Sequence, residues 1–212
     1  MRLSPDQAQK IAEDLSLRLE RSKTPVPIGV SNRHLHLTQE HWDALFGKGS
    51  QPKKYRPTRQ PGYYAAEQAV DVEGPKGKIV NVRVVAPHRT KTQVEVSRTD
   101  ALALGLNPPV RGSGTLTGAA PIKITGPKGS VDVPDALIIA QRHVHFSPAE
   151  AAAMKVKDGE FLRVRAGVGG PRETVFEGAL ARVSDKFALE FHIDTDEANA
   201  AWVKNGDLAY IV

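Results

Sequence analysis

One short motif, Arg-His-aliphatic-His, occurs twice in this chain of 212 residues, and this internal repeat constrains the fold more than any other feature. Residues 30–38 resemble residues 139–147, and each copy ends a β-branched run just before a Thr or Ser suited to cap a helix. Farther along, residues 95–101 resemble residues 192–198. Two similar halves in the same order predict two similar structural units related by a pseudo-twofold axis.

The His-x-His spacing predicts a metal site in each half of the chain. Residues i and i+2 of a β-strand point to the same face, so the two histidines of each motif project together. The downstream repeated segment adds a third ligand to each half. The predicted ligands are His34, His36 and Glu95 in one half and His143, His145 and His192 in the other. A single His-x-His is often only a structural pair, but its duplication with a third ligand favours metal binding.

The donor types suit Zn²⁺ and indicate two metal ions. The chain contains no cysteine, which excludes disulfides, thiolate ligands and a catalytic thiol. Imidazole and carboxylate donors suit Zn²⁺, while Fe²⁺, Co²⁺ and Mn²⁺ stay open as alternatives. Glu95 is the candidate bridging ligand, because both oxygens of a carboxylate can bind metal.

The composition indicates an intracellular globular protein. No apolar run reaches the roughly 20 residues of a membrane span, and the N-terminus lacks the apolar core of a signal peptide. The net charge of +5 favours an anionic ligand, although an excess of this size also arises by chance. We expect a homo-oligomer, with neither nucleic acid nor a membrane as a partner.

The residue pattern predicts mainly β-structure. Glycine and proline contribute 18 and 15 residues, so many turns between short strands are expected, including the Gly-Pro-Lys-Gly turns at 74–77 and 126–129. Helices are predicted to begin after Thr38 and Ser147, and at Thr99 and Thr195. This pattern favours barrels or sandwiches over a βαβ array. The predicted strands cover 79–85, 93–96, 120–125, 136–140, 161–166, 174–180, 187–193 and 208–212.

The first 24 residues form a segment of their own. Ser4, Pro5 and Gln7 have the spacing of a capped helix start. The residues that follow alternate at helical spacing, and residues 21–25 then break the pattern as a linker would. Such a helix either packs on its own domain or docks on a partner. Its apolar face comprises Ala8, Ile11, Ala12, Leu15 and Leu19.

Several motifs together resemble the PduL-type phosphate propanoyltransferases, also called PduL phosphotransacylases. The likeness runs from about Pro25 to the C-terminus. It implies an enzyme that interconverts a short-chain acyl-CoA and phosphate with acyl phosphate and CoA, where the acyl-CoA is propanoyl-CoA or acetyl-CoA. It also implies that the six ligands above hold two zinc ions. The motifs that carry the resemblance lie at 30–37, 64–68, 74–77, 94–101, 141–145 and 192–199.

The resemblance also implies a fold and further site residues. Two closely packed β-barrels capped by short α-helices are expected, with the pseudo-twofold repeat. One barrel would comprise residues 25–32 with 141–212 and the other residues 33–140, with residues 1–24 outside both. The implied catalytic residues are Arg89, which binds phosphate, and Glu95, and the implied CoA contacts are Ser31, Arg83 and Asn199.

Two questions stay open at this point. Family members resident in bacterial microcompartments carry a short N-terminal helix that targets them to the shell, so residues 1–24 are interpreted as an encapsulation peptide that binds shell proteins inside the bacterial cytoplasm. A cytoplasmic enzyme whose helix packs on a barrel is the alternative. The residues alone also allow a metal-dependent hydrolase with the same ligands, or a non-catalytic metal-binding module.

Overall fold

A computed structural model describes residues 3–212 and confirms the predicted mainly-β architecture, with two closed six-stranded barrels and five short helices. The chain divides into two compact units. The first unit contains the described residues up to 30, together with 142–193 and 197–212, and the second contains 31–141 and 194–196. Among residues 3–212, no helix combines the length and the apolar character that crossing a membrane requires.

The barrel of the first unit closes in the order β1-β13-β10-β12-β11-β14. Two helices, α1 and α4, belong to this unit, and α5 lies mostly within it. The bounds of its elements are α1 Pro5–Arg21, β1 Pro25–Ser31, β10 His143–Phe146, α4 Pro148–Ala153, β11 Phe161–Ala166, β12 Thr174–Val183, β13 Glu190–Asp194, α5 Thr195–Ala201 and β14 Leu208–Ile211.

The barrel of the second unit closes in the order β9-β6-β2-β5-β4-β8, and β3 and β7 extend the sheet beyond the ring. Helices α2 and α3 belong to this unit. The bounds of its elements are β2 His34–His36, α2 Gln39–Phe46, β3 Lys54–Pro57, β4 Tyr64–Gly74, β5 Gly77–Ala86, β6 Gln93–Glu95, α3 Arg98–Leu104, β7 Val110–Arg111, β8 Ala120–Thr125 and β9 Ser130–Ala140.

The strand that carries the repeated motif has the same neighbours in both barrels. In the second unit β2 lies between β5, which is parallel to it, and β6, which is antiparallel. In the first unit β10 lies between the parallel β12 and the antiparallel β13. The chain also passes between units just before each motif, after residue 30 and after residue 141. The sequence repeat is therefore a repeat of strand order.

The aliphatic residues of the motif anchor these strands in the two cores. Leu35 is fully buried in the core of the second unit, and Val144 is fully buried in that of the first. Because successive side chains of a strand alternate between its faces, the flanking histidines are directed to the opposite face. The core contacts thereby decide which face of each barrel presents the histidine pairs.

Most predicted helix starts are confirmed. Thr38 and Ser147 cap α2 and α4, and Ser4 caps α1 with the reciprocal contact from Gln7. Helix α3 begins at Arg98, one residue before the predicted start, and the capping side chain is Ser97, whose hydroxyl accepts from the backbone N–H of Asp100. All of these caps use a short polar side chain to bind a backbone N–H that the helix leaves unpaired.

The sequence predicted only one strand, β5, of the long β4–β5 hairpin in the second unit. Strand β4, Tyr64–Gly74, was not predicted, because its pairing with β5 shifts register between Ala65 and Ala69 and again between Val70 and Val72. Such bulges interrupt the alternation of apolar and polar residues on which a sequence prediction depends. Strand β3 was also missed, and all four of its residues are exposed. The strand expected at 187–193 begins only at Glu190.

The two Gly-Pro-Lys-Gly turns each close a hairpin against the end of a helix. Lys76 donates its backbone N–H to the carbonyl oxygen of Leu104 at 3.1 Å, and Lys128 donates to that of Leu45 at 3.0 Å. These contacts satisfy carbonyl groups at the ends of α3 and α2, which have no partner within their own helices. Glycine leads each turn because a β-carbon on Gly74 would lie only 2.4 Å from the Leu104 carbonyl oxygen.

We therefore expect Gly74→Ala to lower the free energy of unfolding by about 1–3 kcal/mol, because the added methyl group meets rigid backbone. Gly112→Ala is the control, since a β-carbon there meets no atom within 4 Å. Denaturant unfolding of both variants measures the difference. Equal stability of the two variants would contradict the close packing of the hairpin on α3.

Helix α1 contacts the first barrel through its C-terminal end. Arg21 is buried, donates to the backbone carbonyl oxygens of Met154 and Lys155, and forms an ion pair with Glu160 at 2.7 Å. Burial alone would raise the pKa of Glu160, but the hydrogen bonds from Arg21 and from the Lys157 backbone N–H, together with the positive charges of these two residues, lower this pKa overall. The apolar face of the helix is not covered in the described structure, and Ile11, Leu15 and Leu19 are 46%, 54% and 64% exposed.

Candidate active site

The second unit brings His34, His36 and Glu95 together as predicted. Strands β2 and β6 pair His34 directly with Glu95, and one ligand atom from each of the three residues lies within 4.8 Å of the others. The Nδ1 atoms of the two histidines contact the backbone carbonyl oxygens of Asn32, at 2.9 Å, and Val85, at 3.1 Å. A proton on each Nδ1 would satisfy these contacts and leave Nε2 as the atom that can bind a cation.

The first unit brings His143, His145 and His192 together in the same way. Strands β10 and β13 pair His143 with His192, whose rings stack with centroids 4.8 Å apart, and ligand atoms of all three lie within 4.8 Å of one another. Both ring nitrogens of His145 and the Nε2 atom of His192 are buried without a hydrogen-bond partner among the described residues. Buried nitrogens without hydrogen-bond partners are costly, and a bound cation would provide a partner for one ring nitrogen of His145. Both groups could hold a metal ion.

The electrostatic environment keeps these groups in forms that bind metal. Burial, followed by the neighbouring His34, holds the pKa of His36 well below its usual 6.5. Burial, with His143, His192 and Arg182 nearby, likewise lowers the pKa of His145. Both imidazoles are therefore neutral at neutral pH. Burial would raise the pKa of Glu95, but His34, His36 and the Ser113 hydroxyl lower it overall, so its carboxylate is ionised.

A hydrogen-bond network links Arg89 to Glu95 through residues that the sequence did not single out. The Ser113 hydroxyl donates to Oε1 of Glu95 at 2.8 Å and accepts from Arg89 at 3.2 Å. Gln93 donates to the same carboxylate oxygen and accepts from the backbone N–H of Gly114. Arg89 also lies over the ring of Tyr63, 5.7 Å from its centroid. The structure thus places a guanidinium group one serine away from a candidate metal ligand.

A comparison with known proteins decides what this arrangement belongs to. The family model described as phosphate propanoyltransferase matches residues 27–204. The chain belongs to the phosphate propanoyltransferase family. It is therefore an acyltransferase of the phosphotransacylase type.

Similar phosphate propanoyltransferases occur in distant bacteria. The protein of Thermotoga maritima is 49% identical over 195 residues, which cover 92% of each chain. That of Salmonella typhimurium is 45% identical over 186 residues, 88% of each chain. That of Rhodobacter capsulatus is 41% identical over 204 residues, 96% of this chain and 94% of its relative. The similarity therefore extends over nearly the whole length of these enzymes.

The other predicted site residues of this chain, Ser31, Arg83 and Asn199, lie in different surroundings. The Ser31 hydroxyl is 3.4 Å from Nδ1 of His34. Arg83 is paired in register with His34, and its side chain donates to the backbone carbonyl oxygens of Ala66 and Glu67. Asn199, in the first unit, is exposed and lines a cleft of about 800 Å³ beside Trp202.

The arginine of each motif forms an equivalent ion pair. Arg33 contacts Asp100 at 2.8 Å, and Arg142 contacts Glu197 at 2.5 Å. The two carboxylates occupy matching positions of the downstream repeat. Each ion pair joins the motif to the helix that follows the third ligand, which gives these arginines a structural role.

Proposed function

We propose that this enzyme transfers a short-chain acyl group, propanoyl or acetyl, between CoA and phosphate with two zinc ions, one bound by each unit. The observation that carries the proposal is the pair of matched three-ligand groups, each formed by one motif strand and its antiparallel neighbour. The family supplies the acyl transfer. The donor sets, three imidazoles and two imidazoles with a carboxylate, suit a catalytic zinc that keeps a position open.

Zinc, when bound, supplies Lewis-acid polarisation of a thioester carbonyl and stabilisation of a departing thiolate. The chain's own contribution is to bind and orient phosphate. Arg89 has a planar guanidinium group that can hold two phosphate oxygens at once. Ser113 contacts this group and so restricts its rotation. A phosphate that is already held in place loses little further entropy when it attacks. Positioning accelerates a bimolecular step for this reason.

Direct attack fits these residues best. A phosphate oxygen forms a bond to the thioester carbonyl carbon, the carbon–sulfur bond breaks, and CoA departs as the thiolate and takes up a proton. An acyl-cysteine intermediate is excluded because the chain contains no cysteine. In the proposed assignment Glu95 binds metal while its Oε1 atom accepts from Ser113. The carboxylate thereby joins the metal site to the phosphate site.

The contacts to CoA are also proposed. Ser31 and Arg83 lie beside His34, one through its hydroxyl and the other through strand pairing. Arg83 offers a positive charge to the CoA phosphates. Asn199 is exposed on α5 and can offer its amide to a ligand. These three residues are proposed to bind CoA and to take no part in the bond changes.

Elemental analysis and a transfer assay test the two-zinc proposal together. We expect close to two zinc ions per chain after purification without chelator, and consumption of propanoyl or acetyl phosphate only when CoA is present. His143→Ala should remove one zinc ion and nearly abolish transfer, because a site with three protein ligands tolerates little loss. Full activity of zinc-free protein would contradict the proposal. Consumption of acyl phosphate without CoA would instead indicate the hydrolase alternative.

Substitution of Arg89 tests the phosphate site. Arg89→Ala should raise the Michaelis constant for phosphate and lower turnover at least about tenfold, because the nucleophile loses its orientation. Arg89→Lys should recover only part of this, since an ammonium group cannot form the two parallel hydrogen bonds. Arg98→Ala, an exposed arginine of the same unit that contacts Asn107, is the control. A loss of CoA affinity equal to that for phosphate would assign Arg89 to the nucleotide.

We further propose that residues 1–24 target the enzyme to the shell of a bacterial microcompartment, in a pathway such as propanediol degradation. The support is the apolar face of α1, whose Ile11, Leu15 and Leu19 are exposed beside the buried anchor Arg21. A helix of this kind stabilises itself by docking its apolar face on a partner.

A fluorescent protein fused to residues 1–24 tests the targeting role in cells that make the cognate shell. We expect fluorescent foci that disappear in the Leu15→Glu variant, because a charge on the apolar face opposes docking. Deletion of residues 2–20 leaves Arg21 in place and should not alter thermal stability. Diffuse fluorescence, together with a destabilised deletion variant, would favour a helix packed on its own unit.

A further inference from the structure

Strand β13 carries a buried carboxylate that the proposed function does not use. Glu190 is 7% exposed and lies directly opposite His145 in the pairing of β10 with β13. Its Oε2 atom is 2.9 Å from Nε2 of His192. Glu190 and His192 are two residues apart on one strand, so their side chains share the face that carries the metal ligands.

The second unit has a different residue at the matching position. There Gln93 lies opposite His36 and Glu95 lies opposite His34, while in the first unit Glu190 lies opposite His145 and His192 opposite His143. Gln93 contacts the carboxylate of Glu95, as Glu190 contacts the ring of His192. The strand opposite each histidine pair thus carries one carboxylate, but the carboxylate has moved by two residues between the units.

The wall of the first barrel leaves space for the Glu190 side chain. Strand β1 is the neighbour of β13 and carries Gly29 beside this carboxyl group. A β-carbon on Gly29 would lie 2.8 Å from both Cδ and Oε1 of Glu190, closer than such contacts allow. Any larger residue at position 29 would therefore displace the carboxylate.

We propose that Glu190 is a positioning residue of the first unit's metal site. Its carboxylate accepts a hydrogen bond from Nε2 of His192 and so holds this ring in place. The inference rests on the proposed zinc sites. A histidine that binds a cation through one ring nitrogen carries its proton on the other, and a carboxylate that accepts this proton fixes the ring and strengthens the ligand. The Nε2 atom of His192 lies 2.9 Å from the Glu190 carboxylate, which is hydrogen-bond distance, but the two groups are not aligned, so the proposed hydrogen bond requires the ring to turn.

Charge balance supports the same role. Three neutral imidazoles leave the charge of a divalent ion uncompensated in a buried site, which is unfavourable at low dielectric constant. Glu190 adds one negative charge beside this set, as Glu95 does within the other set. Each unit then compensates its ion with one carboxylate, by direct ligation in the second unit and through His192 in the first.

The test measures the affinity of the full-length protein for each of its two zinc ions by competition with chromophoric chelators. Glu190→Ala should lower the affinity for one of the two zinc ions roughly 10–100-fold and leave the affinity for the other unchanged. Glu190→Gln keeps a hydrogen-bond acceptor and should lose less. Glu177→Gln removes the same charge from a 65% exposed position of the same barrel and should change neither affinity.

Gly29→Ala provides an independent variant that leaves both carboxylates in the chain. Gly29→Ala should lower the affinity for the same zinc ion as Glu190→Ala does, because it displaces the Glu190 side chain. The double variant Gly29→Ala with Glu190→Ala should bind zinc no more weakly than Glu190→Ala alone. Nitrogen NMR of the loaded protein should show the His192 proton on Nε2 in the wild type.

Three outcomes would overturn the inference or its basis. Unchanged affinity in both Glu190→Ala and Gly29→Ala would remove Glu190 from the site. A cobalt-substituted protein whose spectrum shows one ligand fewer in Glu190→Ala would make the carboxylate a direct ligand rather than a positioning residue. Wild-type protein that binds fewer than two zinc ions would refute the two-zinc function itself, which distinguishes that failure from the other two.

Discussion

The burial of one aliphatic side chain in each motif is the interaction on which the candidate active site depends. Leu35 and Val144 are fully buried in the two cores, and each lies between the two histidines of its motif. A slip of one residue in either strand would turn the histidines into the core and expose the aliphatic residue. Hydrophobic packing, not metal binding, therefore fixes the face on which the ligands appear.

Around this shared frame, the two units use different polar chemistry. The ion pairs Arg33–Asp100 and Arg142–Glu197 are equivalent, and they join each motif to the helix beyond the third ligand. The third candidate ligand is a carboxylate in one unit and an imidazole in the other. The repeat thus retains the scaffold while the two groups that could hold a metal ion differ in their donor atoms.

Hydrogen bonds run from Glu95 through Ser113 to Arg89, so one barrel holds a candidate metal ligand and a guanidinium group together. Glu95 and the histidines are directed by strand pairing, while Arg89 follows β5 and Ser113 lies in the loop after β7. Residues from three parts of the second unit are therefore linked, since Arg89 donates to the Ser113 hydroxyl and this hydroxyl donates to Oε1 of Glu95. In the proposed function, a phosphate held by this guanidinium group would lie near the candidate metal ligands.

Local sequence patterns alone predict the repeat, the mainly-β class, most helix caps and the six side chains that form the two candidate ligand groups. These features rest on local patterns: alternation along a strand, a capping residue three positions from its partner, and a spacing of two between histidines. Strand β4 escaped prediction because its bulges break that alternation. Ser113, Gln93 and Glu190 escaped because nothing local marks them. Only the tertiary structure brought Ser113 to Glu95 and Gly29 to Glu190, since these contacts join residues far apart in the chain and depend on strand order and register.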